Sequence, residues 1–147
     1  MGPYDEAIAD FVAGRPMNID PSLPEGVRVL LLAIENPTNL PFSRELWAYD
    51  LSDNLRNVRE PVLVLIGKKD LQIDWKADGG RLEEACAQNP AVSFAYPENA
   101  DHVLKHETTP IQELTPQVAS LHYNAEDSVL DQEAVDAIIN WFHRRMP

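Results

Sequence analysis

The stretch Pro61-Val62-Leu63-Val64-Leu65-Ile66-Gly67 is apolar at every position between a proline and a glycine and is rich in β-branched side chains. A strand without polar alternation has both faces covered, the mark of a parallel sheet held between helices. Trp75 to Gln88 then reads as a helix, with Leu82, Ala85 and Cys86 on one side and Asn89-Pro90 as its stop. Val92-Ser93-Phe94-Ala95-Tyr96 follows as the next strand. Strand, helix, strand is a βαβ unit with a right-handed crossover. The expected fold class is therefore α/β, built on a short parallel sheet with flanking helices.

Outward from this unit the pattern is helical. Upstream, Pro3 opens a stretch whose Tyr4, Ile8, Phe11 and Val12 share one face, and Gly14 ends it. Val27, Leu30, Leu31 and Ile34 repeat the helical spacing up to Asn36-Pro37, and Pro41 with Phe42, Leu46 and Trp47 predicts a third helix. Residues 1–57 thus read as short helices joined by proline loops, and 58–147 as the sheet-bearing part of a single compact domain. Thr115-Pro116 marks a short helix within a polar stretch. The last helix has Asp131 as its cap, Val135, Ile138, Ile139 and Phe142 as its stripe, and Arg144 and Arg145 at its negative end.

The composition narrows the partners. Twelve basic against twenty-four acidic residues give a net charge of −12. Phosphate backbones and anionic membranes call for clustered Lys and Arg, so no nucleic acid and no membrane is expected as a partner. The N-terminus lacks the basic flank and apolar core of a signal peptide, and no apolar run approaches the ~20 residues that a bilayer requires. A cytoplasmic protein is expected. A single cysteine, Cys86, excludes an intramolecular disulfide framework.

Two loops leave the carboxyl ends of the strands, Gly67-Lys68-Lys69-Asp70-Leu71-Gln72-Ile73-Asp74 and Pro97-Glu98-Asn99-Ala100-Asp101-His102-Val103. Ligands and catalysis gather at this edge of open parallel sheets. An acid past one strand and an imidazole past its neighbour meet across about 5 Å of strand spacing. Asp70 can then hold His102 in one tautomer and stabilise its cation, as the acid of a hydrolase triad does. Ordinary turn chemistry is the competing reading of the same Asp and His. His102 and His106 stand four apart with Asp101 and Glu107 beside them, but no third ligand is evident, and neither a metal nor a cofactor is expected. His122 and His143 read as surface residues. Phe11, Phe42 and Trp47 read as core, or as the lining of an acyl pocket.

The run from Pro61 to Ile73, followed by Asn99-Ala100-Asp101-His102-Val103-Leu104-Lys105, resembles the C-terminal half of α/β-hydrolase-fold serine hydrolases. It looks most like bacterial esterase or lysophospholipase-like members. The resemblance implies a partial α/β-hydrolase fold with Asp70 as triad acid and His102 as triad base, and Asp74 as the weaker candidate acid. It makes residues 1–57 the counterpart of a cap, and the ancestral activity ester or thioester hydrolysis. One departure is decisive for activity. None of the six glycines stands two residues before a serine, so the G-x-S-x-G nucleophile elbow is absent. Cys86, flanked by Ala85 and Ala87 within a helix, does not replace it.

Catalysis would then need a nucleophile from another chain or a water activated by His102. The alternative is a non-catalytic binding or assembly module. Two strands alone leave open edges, so a homodimer across the sheet edge, or a complementing N-terminal half, is expected.

Overall fold

Backbone hydrogen bonding in the computed structural model, which describes residues 2–145, yields seven α-helices and two strands. The chain divides into two units, Met1–Asp50 and Leu51–Pro147. The terminal residues of both expected segments, 1 and 146–147, lie outside the described residues.

The first unit holds α1 (Pro3–Val12), α2 (Glu25–Glu35) and α3 (Leu40–Ala48). Gly2 N–H donates to Asp5 at 2.9 Å and Pro3 occupies the first helical position, where a missing N–H costs nothing. Gly14 ends α1 with φ of 74°, a left-handed conformation that glycine adopts without strain. The core comprises Ala7, Phe11, Met17, Leu31 and Ile34, with Val27 and Trp47 packed against it. The indole of Trp47 meets Phe11 edge-on at 6.0 Å. Burial of Phe11 and of Leu31 contributes about 1.5–3 kcal/mol each. Of the three aromatics expected in a core or an acyl pocket, Phe42 is excluded from this core, since it is 68% exposed.

The second unit begins with α4 (Leu51–Asn57), which packs against α5. Next come β1 (Val62–Leu65), a single π-helical turn over Trp75–Gly79, α5 (Gly80–Ala85) and β2 (Val92–Ala95). The strands are parallel, with Val62 opposite Val92 and Leu65 opposite Ala95. A mixed helix–strand chain with a parallel pair agrees with the α/β class. Two details differ from the sequence reading. Every residue of both strands is only partly buried, because each strand has a single neighbour. The helix expected from Trp75 to Gln88 starts as a π turn and stops at Ala85. Its widened turn brings Gly79 so close to the Tyr96 ring that a Cβ there would lie 2.8 Å from Cε1.

Beyond the strands the ladder continues into the loops. Ile66 N–H reaches Ala95, Lys68 N–H reaches Pro97, and Lys69 N–H reaches Ala100 at 3.1 Å. The chain then folds back, pairing Ala100 with His106 and Lys105 with Leu130 in antiparallel bridges. Helices α6 (Pro116–His122) and α7 (Gln132–His143) complete the unit, and α7 packs on β1. Thr115 caps α6 through the Val118 N–H at 3.3 Å, and Asp131 caps α7 through the Ala134 N–H at 3.0 Å.

Gly67 controls how closely these loops approach. A Cβ on it would lie 2.0 Å from the Ala100 carbonyl oxygen and 2.9 Å from that of Asp101, both rigid backbone. Gly80 has open space around its Cβ position and helical φ of −61°. In urea denaturation, Gly67→Ala is expected to lose about 3 kcal/mol by overpacking. Gly80→Ala is expected to gain about 0.5–1 kcal/mol through helix propensity.

Candidate active site

The loop that follows β1 turns at Gly67, and Asp70 N–H closes the turn on the Gly67 carbonyl at 3.2 Å. The Asp70 carboxylate is nearly inaccessible, with 5% side-chain exposure. Its Oδ1 accepts the N–H groups of Gln72 at 2.7 Å and Ile73 at 3.0 Å. Its Oδ2 lies 2.9 Å from Nδ1 of His102. An ionised carboxylate only accepts, so this pairing engages Nδ1 as the donor and leaves Nε2 as the ring nitrogen for other partners. The imidazole is 35% exposed, and Nε2 meets no hydrogen-bond partner among the described residues. The two residues singled out from the sequence are thus joined, across a contact that no local pattern contains.

Asp101 builds the turn that carries His102. It is buried to 2% exposure, and its Oδ1 accepts the N–H groups of Val103 at 2.9 Å and Lys105 at 2.8 Å. Its own N–H donates to the Lys105 carbonyl, and its carbonyl accepts from Leu104. Leu104 adopts φ of 61° to close this turn, a conformation costing about 1–2 kcal/mol for a residue with a Cβ. Each bond to the charged Asp101 carboxylate offsets that by roughly 1.5–3 kcal/mol. Asp74, the other candidate acid, is occupied elsewhere. Its Oδ1 caps the π turn through the N–H groups of Lys76 at 2.8 Å and Ala77 at 3.0 Å, and these bonds hold its carboxyl below its ordinary value.

Two further histidine–carboxylate pairs lie nearby, neither expected from the sequence. His106 Nδ1 stands 2.8 Å from Asp131, so one carboxylate both holds an imidazole and caps α7. His122, read as a plain surface residue, places Nδ1 2.6 Å from Oε2 of the buried Glu107. Glu107 Oε1 takes the Thr109 N–H at 2.7 Å, and the Glu107 carbonyl accepts Lys69 Nζ. Lys105 Nζ binds the Tyr123 carbonyl at 2.6 Å and Ser128 Oγ at 2.7 Å. Lys105, His106, Glu107, His122 and Ser128 line a cleft of about 230 Å³. The sequence marked His106 and Glu107 by their spacing and Asp131 as a helix cap, but no local pattern paired His106 with Asp131 or His122 with Glu107.

Burial pushes the Glu107 carboxyl up, but the hydrogen bonds from His122 and Thr109, with the charge of His122, outweigh it and leave it lowered from 4.5. A carboxyl depressed in the folded state stabilises the fold above its unfolded value, and that stability is lost as pH falls through the folded value. Thermal denaturation from pH 7 down to pH 3 is expected to show Glu107→Gln less stable than wild type at neutral pH. The difference should shrink as the solution becomes more acidic than the ordinary 4.5 of that carboxyl. A gap that stays constant would place its cause elsewhere than in this ionisation.

Among the described residues, no three His, Cys, Asp or Glu side chains are grouped to hold a metal, and no helix is long and apolar enough to cross a membrane. Comparison of the chain with protein-family models, with curated proteins and with solved structures finds no match in any of the three.

Proposed function

We propose that this chain carries the acid–base half of a serine-hydrolase-type site, with Asp70 as the acid, His102 as the base, and ester or thioester hydrolysis as the chemistry. The observation that supports it is the 2.9 Å Asp70–His102 bond, with the carboxylate buried and Nε2 left unengaged. In this reading Nε2 takes the proton of an attacking hydroxyl, Asp70 stabilises the resulting imidazolium, and the same proton then passes to the leaving group. The nucleophile comes from polypeptide outside these 147 residues, because the chain has no G-x-S-x-G elbow. By itself the chain is a poor esterase. On the same reading it is a partial α/β-hydrolase fold with residues 1–57 as its cap-like segment.

An added small nucleophile stands in for the missing serine. With p-nitrophenyl acetate and trifluoroethanol as acceptor, wild type is expected to form the trifluoroethyl ester about tenfold faster than His102→Ala, a modest share of what a positioned general base provides. Asp70→Asn should fall with it. Equal rates for the three proteins would sink the acid–base reading.

A second reading, an assembly module, is favoured by the only partly buried strands and their open edges. We infer that two copies pair across the sheet edge, independently of catalysis. Light scattering at micromolar concentration is expected to give twice 16.5 kDa. A monodisperse monomer would refute the pairing.

A further inference from the structure

A cleft of about 410 Å³ opens beside Asp70 at the carboxyl edge of β1. Its wall is the Trp75 indole, with Leu71 and Ile111 as apolar neighbours and Asp74 and Asp78 as its further carboxylates. Lys68 is the one cation on this lining, and Glu98 neutralises it at 2.6 Å. An anion entering here would meet the Asp74 and Asp78 carboxylates and a paired ammonium group.

The indole itself already attracts cations. Lys68 Nζ stands 4.9 Å and Lys76 Nζ 5.1 Å from its ring centroid. Both fall within the ~6 Å at which the ring quadrupole holds an ammonium group. A primary ammonium must keep its N–H groups hydrated or hydrogen-bonded, which weakens its hold on an aromatic face. A quaternary ammonium has no N–H to satisfy and loses less on desolvation, so it can displace the tethered lysines.

We propose that this cleft binds an organic quaternary ammonium group, with the Trp75 face as its seat, Leu71 and Ile111 around its apolar stem, and Asp74 and Asp78 as counter-charge. Asp70 borders the cleft and also holds His102, so an ester bearing such a group would present its carbonyl next to the imidazole. That assignment as substrate rests on the acid–base reading above; the binding does not.

The probe is tetramethylammonium chloride, followed through the Trp75 indole N–H signal by NMR, with sodium chloride and sodium acetate at matched ionic strength. A saturable shift is expected with tetramethylammonium alone. Trp75→Leu should weaken binding at least tenfold and Trp75→Phe, which keeps a ring, less; for these variants the backbone amides of Leu71 and Asp78 report it. Lys68→Gln combined with Lys76→Gln should tighten it about threefold by removing the internal competitors. Undiminished binding in Trp75→Leu, a shift shared by all three salts, or saturation by acetate that disappears with Lys68 would each overturn the proposal. Ammonium binding without any His102-dependent ester chemistry would uphold the cleft and remove only the substrate assignment.

Discussion

The backbone contact between Gly67 and Ala100 is the constraint on which the rest of the second unit depends. Parallel pairing ends at Leu65 and Ala95, but the chains stay in hydrogen-bonding register through Lys68 and Lys69. Only a residue without a Cβ permits this, because any side chain at position 67 would overlap the Ala100 carbonyl. The consequence is that the loops after the two strands leave side by side. Asp70 and His102 therefore meet through short, rigid segments rather than through flexible ones.

Rigidity on the histidine side comes from Asp101. A buried carboxylate taking two N–H groups of its own turn, opposite a left-handed Leu104, converts a five-residue excursion into a fixed platform for the imidazole. The returning chain is then stitched to the α7 cap, since His106 N–H reaches Val129 and Asp131 N–H reaches Leu104. Buried carboxylates recur as the organising element. Asp70, Glu107 and Asp131 each accept backbone N–H groups with one oxygen and an imidazole Nδ1 with the other. This division satisfies a charge that burial would otherwise make costly. It also anchors three imidazoles through Nδ1. Part of the acid excess of the chain is thus internal structure rather than a solvated face.

The first unit follows simpler rules. Its helices are amphipathic, and their stripes converge on Phe11 and Leu31. The apolar positions do not all converge, however. Val29, Leu32, Phe42 and Leu46 are each more than half exposed. Periodicity identifies an apolar face but not which of two adjacent faces a neighbouring helix covers.

Local order along the chain was legible without coordinates. The apolar runs at Val62 and Val92, the proline starts, the Gly14 stop and the Thr115 and Asp131 caps each act over a few residues, so sequence alone determined these elements and a mixed helix–strand class, though neither α4 nor the π turn. It also placed Asp70 and His102 at one sheet edge, because both follow a strand directly. What tertiary structure decided is everything set by returns of the chain over longer distances. The antiparallel bridges of Ala100 and Lys105, the bond of His122 to Glu107 and the double duty of Asp131 fall in this class. The reason is physical. A buried carboxylate and an exposed one have the same side chain, and only the N–H groups and imidazoles brought to it by folding distinguish them.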